Sequence, residues 1–399
     1  MAVKYETPSL WIAYQIHEIL NELTEAKAAV MSLTAIPYQR AWADSLQALE
    51  LKREVAGTSK IEGAEFTERE LEEALGGTIP EEELTRSQKQ ARAAVNTYRW
   101  ISSLPAERPI NGELIQEIHR RVVTGCDDDH CAPGQLRGAG ENVGFGRPVH
   151  RGAEGGQEVE AAFNALVASY HGEFRSHDPL IQALALHYHF GAMHPFQDGN
   201  GRTARALEAL VLQRSQLKDT LFIAMSNYYY DEKDAYLGAL SEVRRGDFDL
   251  TPFLKFALNG IALQCKRLLR EIRTHVQKTL FRDVMWKMYN RLSSPRKRAM
   301  GRRQCELLER LLDMEAPIDY MELYRLVEPH YKNLSETVRA YVRDLNSLSS
   351  LRAIVVRQNN TQYLVRVRPE WATEITETSF YQQVTQMPTA KTRLIVTLD

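Results

Sequence analysis

The sequence has few features of a membrane protein, a secreted protein or a strongly basic nucleic-acid-binding protein. Its apolar runs are shorter than the roughly 18 residues of a membrane-spanning helix, and the first residues, MAVKYETPSLW, lack the apolar centre of a signal peptide. Four unevenly spaced cysteines predict a reducing compartment rather than a disulfide scaffold. The formal net charge of −2 excludes binding to nucleic acid through overall positive charge. We therefore expect a cytoplasmic protein with no membrane contact.

Signals for a bound transition metal or a dinucleotide are also weak. Residues 126–131 read CDDDHC, but no second pair of ligands follows, so we predict a polar surface loop rather than a zinc site. His187 and His189 lie close to His194 in sequence, yet the arginine-rich segment after them suits zinc poorly. Residues 134–150 contain fragments similar to GxGxxG, but the hydrophobic strand of a dinucleotide-binding fold does not precede them.

The most informative segment is His194 to Arg205, which reads HPFQDGNGRTAR. Apolar, helix-like stretches precede it (180–190) and follow it (206–212). Pro195 and the run Asp198–Gly201 do not fit inside a helix. The pattern therefore predicts a helix, a tight loop and a second helix, with the loop ending at a helix N-terminus.

This loop has the residue types of a phosphate site. The first turn of a helix carries unpaired N–H groups and partial positive charge. Gly199 and Gly201 allow an anion to approach the backbone closely, and Asn200 can cap the helix or donate its amide to a phosphate oxygen. Arg202 and Arg205 are three residues apart, so we expect them to share a helix face and hold a polyphosphate from one side.

Two further residues of the loop suit phosphoryl chemistry. Asp198 supplies a hard oxygen ligand for Mg²⁺ that bridges phosphates. His194 has a side chain whose ordinary pKa lies near neutrality, as a base that accepts a proton from a hydroxyl requires. Short turns of the DGNG type are common, so the prediction depends on all of these residues occurring together.

The twelve residues match, position by position, the signature HxFx(D/E)GNGRxxR, and the chain therefore resembles the Fic-domain family. The resemblance implies transfer of a nucleotide monophosphate, usually AMP from ATP, onto a protein hydroxyl; some members use other nucleotides or phosphocholine donors. It implies these roles: His194 as the base, Asp198 as the Mg²⁺ ligand, Gly199, Asn200 and Gly201 as the anion hole, Arg202 and Arg205 as holders of the outer phosphates, and Phe196 as the anchor of the loop in the core.

A second, shorter motif lies upstream at residues 58–63, TSKIEG. It is similar to the inhibitory motif (S/T)xxxE(G/N) of one Fic subclass, in which the glutamate pairs with the second arginine of the signature. The resemblance implies that Glu62 pairs with Arg205 and keeps ATP from binding productively. A carboxylate at that position occupies the partner of the γ-phosphate and repels the incoming nucleotide.

Two other parts of the core have expected roles. Short apolar residues between the glycines of 134–150 predict a two-stranded hairpin, which in Fic proteins is the flap that aligns a target segment by backbone pairing. Fic proteins often carry paired tyrosines after the signature helix. This chain has Ala235-Tyr236 there, and we predict that Tyr236 stacks on adenine or caps its pocket; packing within the core is the alternative.

The C-terminal third differs in composition. Residues 266–303 are rich in Lys and Arg at helical spacing, which predicts a basic helix with a break at 293–295; it is a linker or a patch for nucleic acid or an acidic partner. Residues 302–368 predict three helices, the third capped by Ser335 or Asn333, and a hairpin. These elements resemble a winged helix, for which Arg339 and Arg343 are candidate DNA contacts; a protein-binding role is equally open.

The sequence as a whole predicts a mainly α protein with a Fic-type helical core, a small hairpin flap and a C-terminal winged-helix module. The expected domains are 1–104 (helical region with the inhibitory motif), 105–265 (Fic core), 266–301 (basic linker helix), 302–368 (winged helix) and 369–399 (tail). The predicted function is a Mg²⁺-dependent protein adenylyltransferase, autoinhibited by Glu62, that modifies hydroxyl side chains of a target and of itself. A hydrolase that removes AMP and a DNA-binding regulator with a Fic sensor core are the alternatives; a homodimer is left open.

Overall fold

The structure, a computed structural model, describes residues 3–35, 40–76, 80–146, 148–215, 223–292, 295–386 and 393–396. The fold is mainly helical, as predicted, with two small three-stranded sheets. Among the described helices, none is both long enough and apolar enough to cross a bilayer. The helices are α1 (Ile16–Thr34), α2 (Arg40–Ile61), α3 (Glu68–Gly76), α4 (Arg86–Ser103), α5 (Gly112–Val123), α6 (Gln157–His171), α7 (Pro179–Met193), α8 (Asn200–Ser215), α9 (Met225–Asp231), α10 (Lys233–Arg245), α11 (Thr251–Asn290), α12 (Pro295–Asp313), α13 (Tyr320–Val327), α14 (Thr337–Ser350), α15 (Trp371–Glu374) and α16 (Glu377–Gln386). The strands are β1 (Val3–Lys4), β2 (Gly144–Phe145), β3 (His150–Arg151), β4 (Ile318–Asp319), β5 (Ile354–Asn359) and β6 (Gln362–Val367).

The chain divides into two compact units, Met1–Arg270 and Glu271–Asp399. The N-terminal helical region and the core that were predicted as separate domains lie together in the first unit, where α2 packs on α8 and α9, and α4 packs on α5 and α8. The other predicted boundaries stay predictions.

The centre of the first unit is the helix pair α7 and α8, which flanks the signature loop as predicted. Nearly every residue of α7 is buried because the helix is apolar on all sides, and α6 and α8 both pack against it. Asp178 caps its N-terminus with a side-chain bond to the amide of Leu180, and Pro179 occupies the first turn. The signature loop is thus held at the end of a fully enclosed helix.

The predicted hairpin is present and short. β2 pairs antiparallel with β3, so that Phe145 lies opposite His150; Arg147, within the predicted segment, lies outside the described residues. A third strand was not predicted: β1, from the N-terminus, pairs parallel with β3. The sheet order β1-β3-β2 leaves β2 at one edge.

The residue patterns at helix ends match the observed caps at some helices and differ from them at others. α3 begins with a capping box, in which the side chains of Thr67 and Glu70 each accept from the backbone amide of the other residue. Leu10 and Ala13 share helical spacing with Ile16 but precede α1, which begins at Ile16. The predicted cap of the third helix of 302–368 is wrong, since α14 has Glu336 at its N-cap with no side-chain hydrogen bond.

The second unit contains the helices and hairpin predicted for residues 302–368. β5 and β6 form the hairpin, and β4 pairs with β6 to complete the sheet. The segment predicted as a separate tail contributes to the same core, because Trp371 and Phe380 are fully buried in it. The identification as a winged helix, with its DNA contacts, stays a prediction.

The basic helix begins earlier than predicted, since α11 runs from Thr251 to Asn290 without interruption. Of the break predicted at 293–295, residues 293 and 294 lie outside the described residues, and α12 begins at Pro295. Several of its cations have acidic partners: Arg267 with Glu50, Arg282 with Glu309, and Arg291 with Glu377. Pairing of this kind lowers the positive potential available to an acidic partner.

We predict that a chain truncated after Arg270 folds and keeps the activity of the first unit. The reason is that Phe281, Met285 and Met288 are buried in the hydrophobic cluster of the second unit, so a cut near residue 294 would expose them to water. Circular dichroism and thermal unfolding of both truncated chains are the measurement. Unfolding of the shorter chain together with a folded longer chain would contradict the boundary.

Candidate functional site

The signature loop connects the end of α7 to the start of α8. His194 follows Met193 directly and has φ of 54°, in the left-handed region. This conformation, rare for a residue with a side chain, ends α7 and turns the chain into the loop. Gly199 has φ of 74° at the other end of the loop, immediately before α8. Both termini of the loop therefore depend on positive φ, and a glycine supplies one of them without strain.

Asn200 and Phe196 close the loop on itself. The amide oxygen of Asn200 accepts from the Phe196 backbone N–H (2.9 Å), and its amide nitrogen donates to the Phe196 carbonyl (2.8 Å). The Asn200 side chain is thus bonded back to the loop in this structure, and its predicted donation to a phosphate oxygen stays a prediction. Phe196 is fully buried, as predicted for an anchor, and stacks on His119 with ring centroids 3.6 Å apart.

His119, on α5, is a loop-holding residue that the sequence analysis missed. Its Nε2 donates to the carbonyl of Asp198 (2.9 Å), and its Nδ1 accepts from the backbone N–H of Gly134 (2.9 Å). Burial lowers the pKa of His119 to about 4, although the bond to the Asp198 carbonyl opposes that shift. The position of this histidine on the apolar face of its helix could have indicated a buried, hydrogen-bonded side chain.

The start of α8 has the free backbone donors that an anion site requires. Within the described residues, the backbone N–H groups of Asn200, Gly201 and Arg202 have no acceptor, as expected for the first turn of a helix. A Cβ placed on Gly201 would lie 2.5 Å from Oε1 of Glu62, so a carboxylate already occupies the space above this turn. The sequence thus provides the cradle for an anion, and the tertiary structure places an acidic side chain against it.

Asp198 lies beside this cradle with its carboxylate partly open. Its side chain is 42% exposed and lies 3.8 Å from the guanidinium of Arg202. One oxygen accepts from the backbone N–H of Gly199 at 2.6 Å. A partly exposed carboxylate at the wall of a cavity fits the usual Mg²⁺ site, which has one or two protein carboxylates and completes its shell with phosphates and water.

The imidazole of His194 is held in one orientation. Its Nδ1 lies 2.8 Å from the carbonyl of Gly191, which fixes the proton on Nδ1 and leaves Nε2 as the nitrogen with a lone pair. Arg137 donates to the His194 carbonyl at 2.9 Å and holds the backbone. Burial lowers the pKa of His194 to about 4, against the opposing effect of the Gly191 carbonyl. The imidazole is therefore neutral at physiological pH and able to accept a proton.

Arg202 is paired with a buried acid. Its guanidinium lies 2.6 Å from Oδ2 of Asp127, which is fully buried and also accepts from Arg86 and Gln90. Burial raises the pKa of Asp127, but the charge of Arg202 together with the hydrogen bonds from Arg86, Arg202 and Gln90 outweighs burial and lowers that pKa to about 2. The prediction of a polar surface loop at residues 126–131 is therefore wrong at Asp127, because a buried guanidinium requires a buried counter-charge.

Arg205 has the partner that the inhibitory motif predicted. Its guanidinium lies 2.6 Å from Oε1 of Glu62, and its Nε donates to the hydroxyl of Thr58 (2.9 Å). Burial would raise the pKa of Glu62, but the charge of Arg205 lowers it, so the acid is ionised. Arg202 and Arg205 are each held by a different acid here, and the joint phosphate clamp expected from their spacing stays a prediction. The Nε of Arg202 is nonetheless unpaired among the described residues.

A stripe of polar residues on α2 brings Glu62 to this position. Glu50, Glu54 and Thr58 recur every four residues on one face of α2, and Glu62, directly after the end of the helix, continues this spacing. Glu54 is buried and accepts from the Ser226 amide (2.8 Å) and the Tyr98 hydroxyl (2.7 Å), and burial raises its pKa to about 7. The sequence analysis missed this stripe, although its spacing was visible.

Tyr236 lies in the cavity wall but is already packed. Its ring stacks on Tyr229 with centroids 4.5 Å apart, and its hydroxyl lies 2.9 Å from Nε2 of His187, whose Nδ1 contacts Glu208. Adenine stacking by Tyr236 stays a prediction. His187 is thus part of a buried network, and among the described residues no three His, Cys, Asp or Glu side chains gather as a metal-binding group.

One cavity of about 260 Å³ collects these groups. Its walls include His194, Asp198, Gly201, Arg205 and Glu62 from the two motifs, together with Tyr236. One face of α10 supplies a long wall with an apolar middle and a cation at each end: Lys233, Tyr236, Leu237, Leu240 and Arg244. Lys233 also donates to the backbone carbonyl of Ile61 at 2.8 Å, next to Glu62. A cavity with cations, helix amides and an apolar wall suits a nucleotide.

Comparisons with known proteins agree with this geometry. Residues 109–212 match the Fic/DOC family. The chain is 29% identical over 163 residues to protein adenylyltransferase fic-1 of Caenorhabditis elegans, a match that covers 40% of this chain and 29% of that protein. It is 30% identical over 145 residues to protein adenylyltransferase Fic of Nematostella vectensis, with 36% of this chain and 30% of that protein covered. The chain thus spans about a third of the length of these relatives.

Solved structures support the fold. A Fic family protein from Desulfovibrio desulfuricans G20 aligns with a TM-score of 0.56 at 18% identity, covering 91% of this chain and 98% of that one. Fic-1 of C. elegans aligns with a TM-score of 0.52 at 20% identity, covering 63% and 71%. Residues 109–212 therefore carry a Fic/DOC family domain, and the solved structures agree with its fold.

Proposed function

We propose that this chain is a protein adenylyltransferase that transfers AMP from ATP to a Ser, Thr or Tyr hydroxyl of a target protein and of itself. The observation that supports it most is that one cavity holds a neutral imidazole, the amides of Asn200 and Gly201, and the Arg205 guanidinium. The family match and the printed names of the two relatives agree with it.

The reaction is an in-line displacement. The target hydroxyl oxygen attacks the α-phosphorus, the bond from that phosphorus to the oxygen bridging the β-phosphate breaks, and pyrophosphate leaves. Nε2 of His194 takes the hydroxyl proton, because Nδ1 is engaged by the Gly191 carbonyl. The helix amides at Asn200, Gly201 and Arg202 stabilise charge on the phosphate oxygens. Asp198 would hold Mg²⁺, which neutralises phosphate charge when bound.

We also propose that Glu62 inhibits this reaction. The Glu62 carboxylate occupies the space above Gly201 and pairs with Arg205, so it competes with the phosphates for both partners. Lys233 holds the backbone beside it, and Thr58 holds Arg205 in place. The closed form would therefore bind ATP with its outer phosphates displaced from Arg205.

The test is incubation of the full chain with Mg²⁺ and ATP carrying a label on either the α- or the γ-phosphate, followed by mass spectrometry of the protein. Adenylyl transfer attaches the α-label and the mass of one AMP, and leaves the γ-label in pyrophosphate. Attachment of the γ-label would indicate a kinase instead. No attachment by wild type or by Glu62→Gly, with any offered protein, would sink the proposal.

Hydrolytic removal of AMP from a modified protein is a second candidate function, favoured by the position of Glu62. A carboxylate one-third exposed at the wall of the same cavity can orient a water molecule for attack on an AMP–protein bond. A pre-modified target separates the two reactions. Release of AMP by wild type and its loss in Glu62→Gly would favour the hydrolase; the opposite ranking favours the transferase.

Asp198→Ala should lose Mg²⁺-dependent transfer while the fold survives. The fold should survive because His119 bonds the backbone carbonyl of Asp198, not its side chain. The measurement is the transfer rate against Mg²⁺ concentration, with melting temperature as the check on folding. Asp198→Asn is the matched control, since it keeps the shape and removes the charge. A wild-type Mg²⁺ dependence in Asp198→Ala would mean that the residue only shapes the turn.

A further inference from the structure

The hairpin residue Phe145 covers the imidazole that we assign as the base. The two ring centroids are 3.9 Å apart and the planes differ by 10°, so the rings are stacked face to face. Phe145 also lines the cavity. Because the lone pair of Nε2 lies in the plane of the imidazole, a ring stacked on its face restrains and dehydrates the base without blocking proton transfer.

A cation is placed against the same phenyl ring. The guanidinium carbon of Arg244, on α10, lies 5.0 Å from the Phe145 centroid, within the range of a cation–π contact. Within the described ranges, Arg244 has no acidic partner, and its Nε is buried without a hydrogen-bond acceptor. Holding a half-buried guanidinium without an acidic partner costs free energy. We therefore asked which function its contact with the Phe145 ring serves.

The hairpin and the His194 loop are joined closely enough to hold the stack. The amide of Ala153 donates to the Met193 carbonyl at 2.9 Å. A Cβ on Gly152 would lie 2.9 Å from Cβ of His194, so only glycine permits this approach. Displacing Phe145 would therefore change the environment of His194 directly.

We propose that Phe145 and Arg244 are positioning residues for the transfer reaction: Phe145 fixes the plane of the His194 imidazole and excludes water from its face, and the charge of Arg244 disfavours the imidazolium form. The inference rests on the proposed role of His194 as the base. It gives Arg244 of α10 an influence on the protonation of the base. Neither Phe145 nor Arg244 belongs to the signature or to the inhibitory motif.

The charges that face His194 set the sign of the effect. Burial is the main cause that lowers its pKa; Glu62, directly after α2, raises it, and Arg137 and Arg244 lower it. Removing Phe145 would hydrate the imidazole, and removing the Arg244 charge would take away one opposing cation. Both changes should therefore raise the pKa of His194 towards the ordinary value of about 6.5.

The first test needs no enzymatic turnover. Histidine signals of the full chain, labelled with ¹³C, are followed by NMR between about pH 4 and pH 8, and the His194 signal is the one missing from His194→Ala. We expect a higher His194 pKa in Phe145→Ala, a smaller rise in Arg244→Met, and little change in Arg244→Lys. The matched control is Arg245→Met, which removes the neighbouring charge of the same helix, where Arg245 bonds Ser241.

An unchanged His194 pKa in both Phe145→Ala and Arg244→Met would overturn the proposal. So would a shift in Arg245→Met as large as that in Arg244→Met. If Phe145→Ala does not fold, Phe145→Leu replaces it: Leu keeps apolar volume but removes the flat ring, so the pKa should rise less than in the alanine variant. An unmoved pKa in both Phe145→Leu and Arg244→Met would overturn the proposal equally.

The second test is the pH profile of transfer in the Glu62→Gly background. A base is active in its neutral form, so activity is lost as pH falls through its pKa. With a pKa near 6.5, Phe145→Ala should retain about one-tenth of its plateau kcat/KM at about pH 5.5, where the parent still works. A uniform loss at all pH values would mean a structural role only. Absence of transfer in every variant would sink the proposed function and leave the NMR result to decide this inference.

Discussion

Glu62→Gly is expected to raise self-modification by roughly tenfold or more. The Glu62–Arg205 pair is a charge-assisted bond, worth on the order of 1.5–3 kcal/mol. One third of the Glu62 side chain is exposed, which favours the lower part of that range. ATP must displace this pair before its outer phosphates reach Arg205, and about 1.4 kcal/mol corresponds to one decade in equilibrium constant.

The geometry makes the glutamate removable without loss of the cation. Thr58 accepts from Arg205 through its hydroxyl and its carbonyl, so the guanidinium stays oriented after Glu62 is gone. Glycine at position 62 also leaves the α8 amides open, because the carboxylate above Gly201 disappears. We therefore expect both ATP affinity and transfer rate to rise.

The measurements are the self-modification rate and the ATP dissociation constant of wild type, Glu62→Gly, and both proteins with Arg205→Ala added. Arg205→Ala should not activate by itself, because it removes the phosphate partner together with the inhibitory pair. Glu65→Gly is the matched control, as an exposed acid three residues further along the chain. If Glu62→Gly is no more active than wild type, residues 58–63 are only a helix end that packs on Arg205.

His194→Ala, made in the Glu62→Gly background, should lose transfer by about 10²- to 10⁴-fold, the usual contribution of a general base. Nucleotide binding should change little, since the anion site consists of the α8 amides and Arg205 rather than the neutral imidazole. Calorimetric titration with ATP and a single-turnover transfer assay separate the two quantities.

The control for this variant is His130→Ala, an exposed histidine outside the cavity. His194→Ala also removes the partner of the Gly191 carbonyl and of the Phe145 ring, so its melting temperature must be compared with that of the parent. A loss of ATP affinity as large as the loss of turnover would mean that His194 shapes the nucleotide site instead of acting as a base.

The sequence by itself determined the loop chemistry. Pro195 and Gly199 cannot continue α7, so a helix, loop and helix follow from backbone preference, although Gly201, predicted outside a helix, lies in the first turn of α8. The residue types between them then define a cradle for an anion. The predicted hairpin of β5 and β6 was likewise confirmed, because residues close together in sequence form it.

Only the tertiary structure decided which partners the charged groups meet. Arg202 and Arg205 share a helix and a spacing that suggest one clamp, yet Asp127 and Glu62 hold them separately. Asp127 was predicted at the surface because a run of aspartates is normally solvated. It is buried because the guanidinium of Arg202, 75 residues away in sequence, is buried next to it. The stacking of Phe145 on His194 depends on a hairpin 49 residues upstream of the loop. Desolvation and ion pairing depend on which distant segments pack together. The conformational preferences of neighbouring residues do not predict that packing.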